Sequence, residues 1–273
     1  MSTAHQYALA HLSMIAVAPL RLVEVASAAG YEYTGFRLTP TASGIDHAIL
    51  GDEKKLANLR RVVDDAGVSI LDLDVLRMKE PDDFADPRPL LEAAQVLGAR
   101  YVITTIEDSE PQRRVDSLAR LAALAGEYGT GIAVEFMLFS SSPNLADCVD
   151  VVTASGADNA VVFADVLHLV RSGGSPADLR SYSARLFPYA QVCGASGAGA
   201  APDAVTARTE AVNARLMPDQ GDLPVSEFIE VLGAEVVLSV ECPLAGEADP
   251  ADPVALAEAM LASARRSAGD VGA

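Results

Sequence analysis

Four side chains whose oxygen atoms could bind a metal lie near the ends of four successive apolar runs in the second half of the chain. They are Glu135 in Ile132-Ala-Val-Glu-Phe-Met137, Asp165 in the run 159–169, Gln191 in Tyr189-Ala-Gln-Val-Cys193 and Glu241 in the run 236–242. Three carboxylates and one amide form a hard, all-oxygen set, which favours Mn²⁺ or Mg²⁺. If the runs are neighbouring parallel strands, their ends meet at one edge, and the sequence predicts one metal site there.

An alternative for these acids needs no metal. A single acid at a strand end commonly caps a helix or binds a loop, and arginine side chains could neutralise the whole group. Zinc would favour histidine or cysteine ligands. The chain has only four histidines, and they form no cluster in the sequence.

Apolar runs of strand character alternate with amphipathic runs along the whole chain. The predicted strands are residues 7–15, 31–38, 68–76, 100–106, 132–137, 159–169, 189–193 and 234–242. Between and after them the predicted helices are residues 19–29, 52–66, 87–97, 110–128, 144–155, 176–186, 203–213, 225–232 and 253–268.

Eight strand–helix units of this kind indicate parallel strands joined by right-handed crossovers. We predict an α/β fold, a closed (β/α)₈ barrel that places the four side chains at the C-terminal ends of the strands. A doubly wound open sheet is the rival. That fold usually carries a glycine fingerprint after its first strand, whereas this chain has Met14-Ile-Ala-Val-Ala-Pro19 there.

Composition and charge exclude several classes of protein. The chain has 273 residues and a net charge of -18, so a nucleic-acid partner is not expected. No apolar run reaches the length of a membrane span, and the apolar stretch at residues 7–20 is interpreted as a strand and turn rather than a signal peptide. Three cysteines without CxxC spacing favour a reduced, cytoplasmic protein.

We predict one domain over residues 1–273, with a disordered tail after about residue 267.

Several short motifs resemble the sugar phosphate isomerase/epimerase family, the xylose-isomerase-like TIM barrels that include ketose 3-epimerases and inosose dehydratases. The resemblance covers nearly the whole chain. Its carriers are residues 29–37, Val134-Glu-Phe136, Ala164-Asp-Val-Leu-His168, Gln191-Val-Cys193, Arg215-Leu-Met-Pro218 with Gly221-Asp-Leu223, and Ser239-Val-Glu-Cys-Pro243.

The resemblance implies roles for particular residues. Glu135, Asp165, Gln191 and Glu241 would hold the metal, and Glu135 and Glu241 would also act as the acid/base pair. His168 would hydrogen-bond a substrate oxygen. A divalent ion that polarises a hydroxy-ketone stabilises the enediolate left after proton removal. The chain departs from the family by having Gln191 where the epimerases have histidine, and Gly194-Ala-Ser where many relatives have an acid.

Three further residues are candidates for substrate contact. Arg37 ends the second strand and could bind a substrate oxygen or carboxylate, or else pair with a neighbouring acid. Asp74 alternates with Asp72 on the third strand and could line the barrel. Arg171 begins a Gly-rich segment that could hold an anion or form a solvated turn.

The expected function is a metal-dependent isomerase or epimerase acting on a small, sugar-like hydroxy-ketone. A dehydratase that expels a β-hydroxyl from the same enediolate is one alternative, and a non-catalytic ligand-binding barrel is another. An endonuclease-IV-like barrel would need a His-rich zinc site and a basic groove, and the sequence has neither. A homodimer is left open.

Overall fold

Eight parallel strands form a closed barrel in the order β1 to β8, each hydrogen-bonded to the next and β8 to β1. The structure is a computed structural model that describes residues 5–201 and 203–270. The strands are β1 (Tyr7–Leu9), β2 (Tyr33–Arg37), β3 (Ser69–Met78), β4 (Tyr101–Ile106), β5 (Gly131–Glu135), β6 (Ala160–Asp165), β7 (Tyr189–Val192) and β8 (Val237–Val240). The predicted (β/α)₈ barrel is confirmed.

Helices connect the strands. They are α1 (Pro19–Ala29), α2 (Glu53–Ala66), α3 (Arg88–Leu97), α4 (Pro111–Glu127), α5 (Leu145–Ser155), α6 (Val166–Arg171), α7 (Pro176–Leu179), α8 (Ala204–Asn213), α9 (Val225–Leu232) and α10 (Pro253–Ala268). Two short 3₁₀ helices lie at His11–Met14 and Ala184–Leu186. Helices α8 and α9 both belong to the long connection between β7 and β8.

The helix ends follow local chemistry. The side chain of Asn144 accepts a hydrogen bond from the Asp147 N–H at the start of α5, and Asp52 does the same for Lys55 N–H in α2. Helix α1 ends at Gly30, whose φ of 86° is easily adopted only by glycine. These capping residues can be identified in the sequence. The predicted bounds of most helices therefore lie within one residue of those observed.

Three predicted elements differ from the structure by four residues or more at one end. The first strand ends at Leu9 rather than residue 15, and a 3₁₀ helix follows it. The sixth strand ends at Asp165 rather than residue 169, because the Asp165 side chain accepts the N–H of Leu167 and starts helix α6. His168 therefore lies on a helix and not on a strand. The helix predicted for residues 176–186 is divided between α7 and the second 3₁₀ helix.

Apolar side chains fill two separate regions. The larger core lies between the barrel and its helices, and a smaller group fills the barrel interior. In the interior, the Tyr189 ring stacks on Phe163 and on Tyr101, with ring centroids 4.4 and 4.9 Å apart. This aromatic layer closes the barrel, so a cavity at the C-terminal ends of the strands has a solid floor.

Both ends of the described chain take part in the fold: β1 pairs with β8, and Asp270 accepts hydrogen bonds from the Tyr7 hydroxyl at 2.7 Å and the His5 N–H at 2.9 Å. Helix α10 continues to Ala268, past the point where the sequence predicts a disordered tail. The remainder of that predicted tail, residues 271–273, lies outside the described residues. Within residues 5–201 and 203–270, no helix combines the length and the apolar character needed to cross a bilayer.

Candidate active site

A cavity of about 140 Å³ opens at the C-terminal ends of the barrel strands, and it is called the inner cavity below. Glu135, His168, Gln191 and Glu241 line it, as do Arg37 and Asp74. Asp165 is fully buried directly behind this lining. The barrel thus brings together side chains from five strands, from helix α6 and from the segment that follows β8.

Strand register accounts for this convergence. Asp165 and Gln191 are direct partners across the β6–β7 pair, and Gln191 is the partner of Ser239 on β8. Glu241 follows the end of β8, where its N–H donates to the Val192 carbonyl at 3.2 Å. Glu135 is the last residue of β5. All four side chains therefore start from the same rim of the barrel.

Arg215 lies between two of the predicted metal ligands. Its Nη1 is 2.5 Å from Asp165 Oδ2, and its Nη2 is 2.8 Å from Glu241 Oε2. The arginine side chain is 2% exposed, so three charged groups meet in a buried space. The sequence suggested that arginine could neutralise these acids, but it did not identify Arg215 as a site residue.

The β7–β8 connection holds Arg215 in place. Gly194 and Leu216 exchange backbone hydrogen bonds of 2.9 and 2.8 Å, next to Arg215. Arg215 Nε also donates to the Ala211 carbonyl at the end of α8, at 2.8 Å. Because Asp165 and Arg215 are 50 residues apart, only the folded connection reveals the pair. The motif Arg215-Leu-Met-Pro218 was the one sequence signal that could have pointed to it.

Glu135 pairs with no arginine among residues 5–201 and 203–270. Its Oε1 is 3.7 Å from His168 Nε2. One ligand atom each from Glu135, Asp165 and His168 lie within 4.8 Å of one another, so this cluster could bind a metal ion. His168, predicted as a substrate contact, is thus also placed as a candidate ligand.

The pKa values of these groups diverge. Burial raises the pKa of Glu135 well above its ordinary value, and Glu241 and Asp165 add to the rise. Burial also raises the pKa of Glu241, to about 7, although Arg215 opposes the shift. For Asp165 the burial effect is overcome by Arg215 and His168, so its pKa lies below the usual range. Burial lowers the pKa of His168 to about 4, which leaves its imidazole neutral near pH 7.

The residues present fit a divalent cation. Gln191 Oε1 is buried and has no hydrogen-bond partner among the described residues. Such an orphaned acceptor costs free energy unless something binds it. Glu135 is a partly buried carboxylate that pairs with no arginine or lysine in the described part of the chain. The other donors are carboxylates and one neutral imidazole, which suit a divalent ion.

Arg37 and Asp74 line the same cavity, beside each other. Arg37 Nη1 is 3.9 Å from Asp74 Oδ2, and Arg37 Nε donates to the Thr39 carbonyl. The Arg37 N–H donates to His11 Nδ1 at 3.0 Å, which fixes the end of β2. Burial raises the pKa of Asp74, against the influence of Arg37 and Arg77.

Arg171 lies elsewhere. It forms two hydrogen bonds with Glu210 on α8, of 2.6 and 2.8 Å. Its Nη atoms also donate to the carbonyls of Ser196, Gly197 and Gly199. Within the described ranges it lines a neighbouring surface depression and not the inner cavity. The Gly-rich segment after β7 thus surrounds the arginine with carbonyl oxygens, and the structure gives Arg171 the position of an anchor for that loop.

Residues 23–265 match the Xylose isomerase-like TIM barrel family, and this chain belongs to that family. The fold resembles a xylose isomerase-like TIM barrel/4-hydroxyphenylpyruvate dioxygenase fusion protein, with a TM-score of 0.78 and 19% identity over 96% of this chain. The match spans 42% of the fusion protein. Among curated proteins, none matches the chain by sequence.

Two other solved structures align along nearly their whole lengths. An IOLI protein with a bound zinc atom has a TM-score of 0.75 and 19% identity, over 97% of both chains. The D-psicose 3-epimerase of Clostridium cellulolyticum H10, solved with D-tagatose, has a TM-score of 0.70 and 13% identity, over 96% of this chain and 99% of that one. At these identities the similarity establishes the fold alone.

Proposed function

We propose that this chain is a divalent-metal-dependent isomerase or epimerase of a small, sugar-like hydroxy-ketone. The observation that carries the proposal is the pair Glu135 and Glu241. Both carboxylates line the inner cavity, and both have raised pKa values. A group whose pKa lies near the working pH can both accept and return a proton.

Glu135, Asp165, Gln191 and Glu241 would hold Mn²⁺ or Mg²⁺, with His168 able to replace or join them. The ion, when bound, would polarise the substrate carbonyl and stabilise negative charge as the adjacent hydrogen leaves. The zinc-bound IOLI protein and the psicose epimerase support a metal site and a ketose substrate in this family.

The protein's own groups would move the proton. Deprotonated Glu241, in our assignment, would take the hydrogen next to the carbonyl as a proton, and the C–H electron pair would pass into the enediolate. Protonated Glu135 would then give its proton to the enediolate carbon. His168, neutral near pH 7, would hydrogen-bond a substrate oxygen whenever it is not a ligand. The aromatic floor below the cavity keeps bulk water from entering through the barrel.

The test is proton exchange between substrate and deuterated solvent. Mn²⁺-loaded protein, incubated with a panel of ketoses and inososes, should replace the hydrogen next to the carbonyl by deuterium. Glu241→Gln keeps the shape and one ligating oxygen but cannot accept a proton at neutral pH. We expect it to lose about 10²–10⁴-fold in exchange rate while its circular dichroism is unchanged.

Glu230→Gln is the matched control, because Glu230 is exposed on α9. It should exchange hydrogen at the wild-type rate. Near wild-type exchange by metal-loaded Glu241→Gln would show that Glu241 is not the base. Failure of the wild-type protein to exchange any member of the panel would contradict the proposed function. Loss of water from the product would redirect it to a dehydratase.

A further inference from the structure

Three arginines stand where the inner cavity meets a second, wider cavity, which is called the outer cavity below. Of the residues that the structure describes, five line both cavities: Leu12, Arg37, Arg77, Arg208 and Val212. Arg37 ends β2, Arg77 lies on β3, and Arg208 lies on α8. A molecule that reaches Glu135 and Glu241 through the outer cavity passes between these arginines.

The composition of this passage is opposite to that of the whole molecule. The chain carries 38 acidic and 20 basic residues. Nevertheless, no acid is among the described residues that line the outer cavity, whose polar members are arginine, threonine, serine and asparagine side chains. Cations concentrated at one opening of an acidic protein attract anions there and leave neutral molecules unaffected.

The three guanidinium groups retain donors for a ligand. Arg77 Nη1 binds Glu107 at 2.9 Å, but the arginine side chain is still 40% exposed. Arg37 is separated from Asp74 by 3.9 Å, too far for a hydrogen bond. Within residues 5–201 and 203–270, Arg208 forms no ion pair, and it is exposed on α8.

We propose that the substrate carries a carboxylate at the end remote from its hydroxy-ketone, and that Arg37, Arg77 and Arg208 bind that carboxylate. The inference rests on the proposed function, since it assigns the other end of the same substrate to Glu135 and Glu241. Arginine binds planar oxyanions through two parallel hydrogen bonds, so three arginines on three elements also orient the molecule.

The charge distribution favours a carboxylate over a phosphate. The acids that contact the passage arginines are Asp74 and Glu107, and Glu107 also pairs with Lys79 at 3.8 Å. Four cationic side chains therefore meet two acids here, and this excess attracts an anion. The chain's net charge of -18 repels a phosphate dianion more than a carboxylate of single charge.

Binding of three six-carbon polyols tests the inference without requiring turnover. Gluconate has a terminal carboxylate, sorbitol has an alcohol there, and sorbitol 6-phosphate has a phosphate. Calorimetric titration of both chelator-treated and Mn²⁺-loaded protein should give a dissociation constant at least about tenfold lower for gluconate than for sorbitol. Arg77→Gln and Arg208→Gln should each reduce that preference by about threefold or more.

Arg180→Gln is the control, because Arg180 is an exposed arginine next to α7 and away from both cavities. It should keep the wild-type preference. Equal binding of gluconate and sorbitol, no detectable gluconate binding, or a preference that survives in both passage variants would overturn the inference. Tighter binding of sorbitol 6-phosphate than of gluconate would overturn the choice of carboxylate.

The outcome is separable from that of the proposed function. If gluconate is preferred, but neither neutral ketoses nor ketoses with a terminal carboxylate exchange their hydrogen, the carboxylate site stands and the isomerase proposal fails. If neutral ketoses exchange hydrogen and gluconate has no advantage, the isomerase proposal stands and the carboxylate site fails.

Discussion

The position of Arg215 changes the interpretation of the site more than that of any other residue discussed above. The strand-end acids predicted a metal, and the structure adds a buried cation that already contacts Asp165 and Glu241. Two carboxylates buried together would repel each other, so an internal guanidinium stabilises the fold without an ion. In the described part of the chain, Glu135 and Gln191 receive no comparable partner. Arg215 therefore neutralises Asp165 and Glu241, whereas Glu135 and Gln191 remain free to bind a metal ion.

Arg215→Gln should reveal this counter-ion role. In chelator, we expect the free energy of unfolding to fall by about 3–5 kcal/mol, because two buried carboxylates lose their partner. Urea titration measures the change. Arg21→Gln is the control: Arg21 pairs with Glu24 on the surface and should change stability by about 1 kcal/mol or less. A loss as small as that in Arg215→Gln would show that the buried pair does not stabilise the fold.

The raised pKa of Glu241 predicts how metal affinity depends on pH. With a pKa of about 7, this carboxyl holds a proton in mildly acidic solution. An ion that binds Glu241 must displace that proton, so affinity falls as pH decreases. The raised pKa of Glu135 acts in the same direction, so we expect Mn²⁺ to bind at least about tenfold more weakly at about pH 6 than at about pH 7.5. Calorimetric titration at several pH values checks this, and a pH-independent affinity over that range would be evidence against Glu241 as a ligand.

At the scale of elements, the apolar run 159–169 shows where sequence patterns stop being informative. The run contains both a buried strand and the buried helix α6, so its hydrophobicity is continuous and has no period to mark the change. The division is made by Asp165, which ends the strand, caps the helix and binds Arg215. The sequence singled out Asp165 as a metal ligand, which stays a prediction, and the structure adds these three roles.

The connection from β7 to β8 positions Arg215, and Gly194 allows its backbone to pass closely. A Cβ atom at residue 194 would lie 2.2 Å from the carbonyl oxygens of Met217 and Gln220. Gly194→Ala should therefore displace the segment that carries Arg215. We expect a loss of about 1–3 kcal/mol in the free energy of unfolding, together with weaker Mn²⁺ binding.

Gly199→Ala is the matched control, because a Cβ atom at residue 199 meets nothing within 4 Å and lies in the same connection. The melting temperatures of the two variants are measured by thermal unfolding and compared. Equal melting temperatures would show that the backbone can shift at Gly194 without disturbing Arg215.

Over the whole molecule, the sequence predicted the barrel because the strand–helix alternation and the helix caps are local signals that all agree. It also predicted that the four strand-end side chains lie at one rim, since a barrel brings the ends of its parallel strands together there. It could not place Arg171 or Arg215. Each occupies a position fixed by partners 25 to 50 residues away, Ser196 and Glu210 for Arg171 and Asp165 for Arg215. Such pairings depend on how the β7–β8 connection folds over the rim.

The central claim is that the rim of this barrel binds one divalent ion, and calorimetric titration with Mn²⁺ tests it most directly. A protein of net charge -18 also attracts cations loosely, so a specific site must show fixed stoichiometry and depend on one residue. We predict one ion per wild-type chain, and affinity lower by at least about tenfold in Glu135→Gln, which leaves the Arg215 pairs intact. No saturable binding by the wild-type protein, or equal affinity in Glu135→Gln, would contradict the claim and leave Arg215 as the only counter-ion of the site.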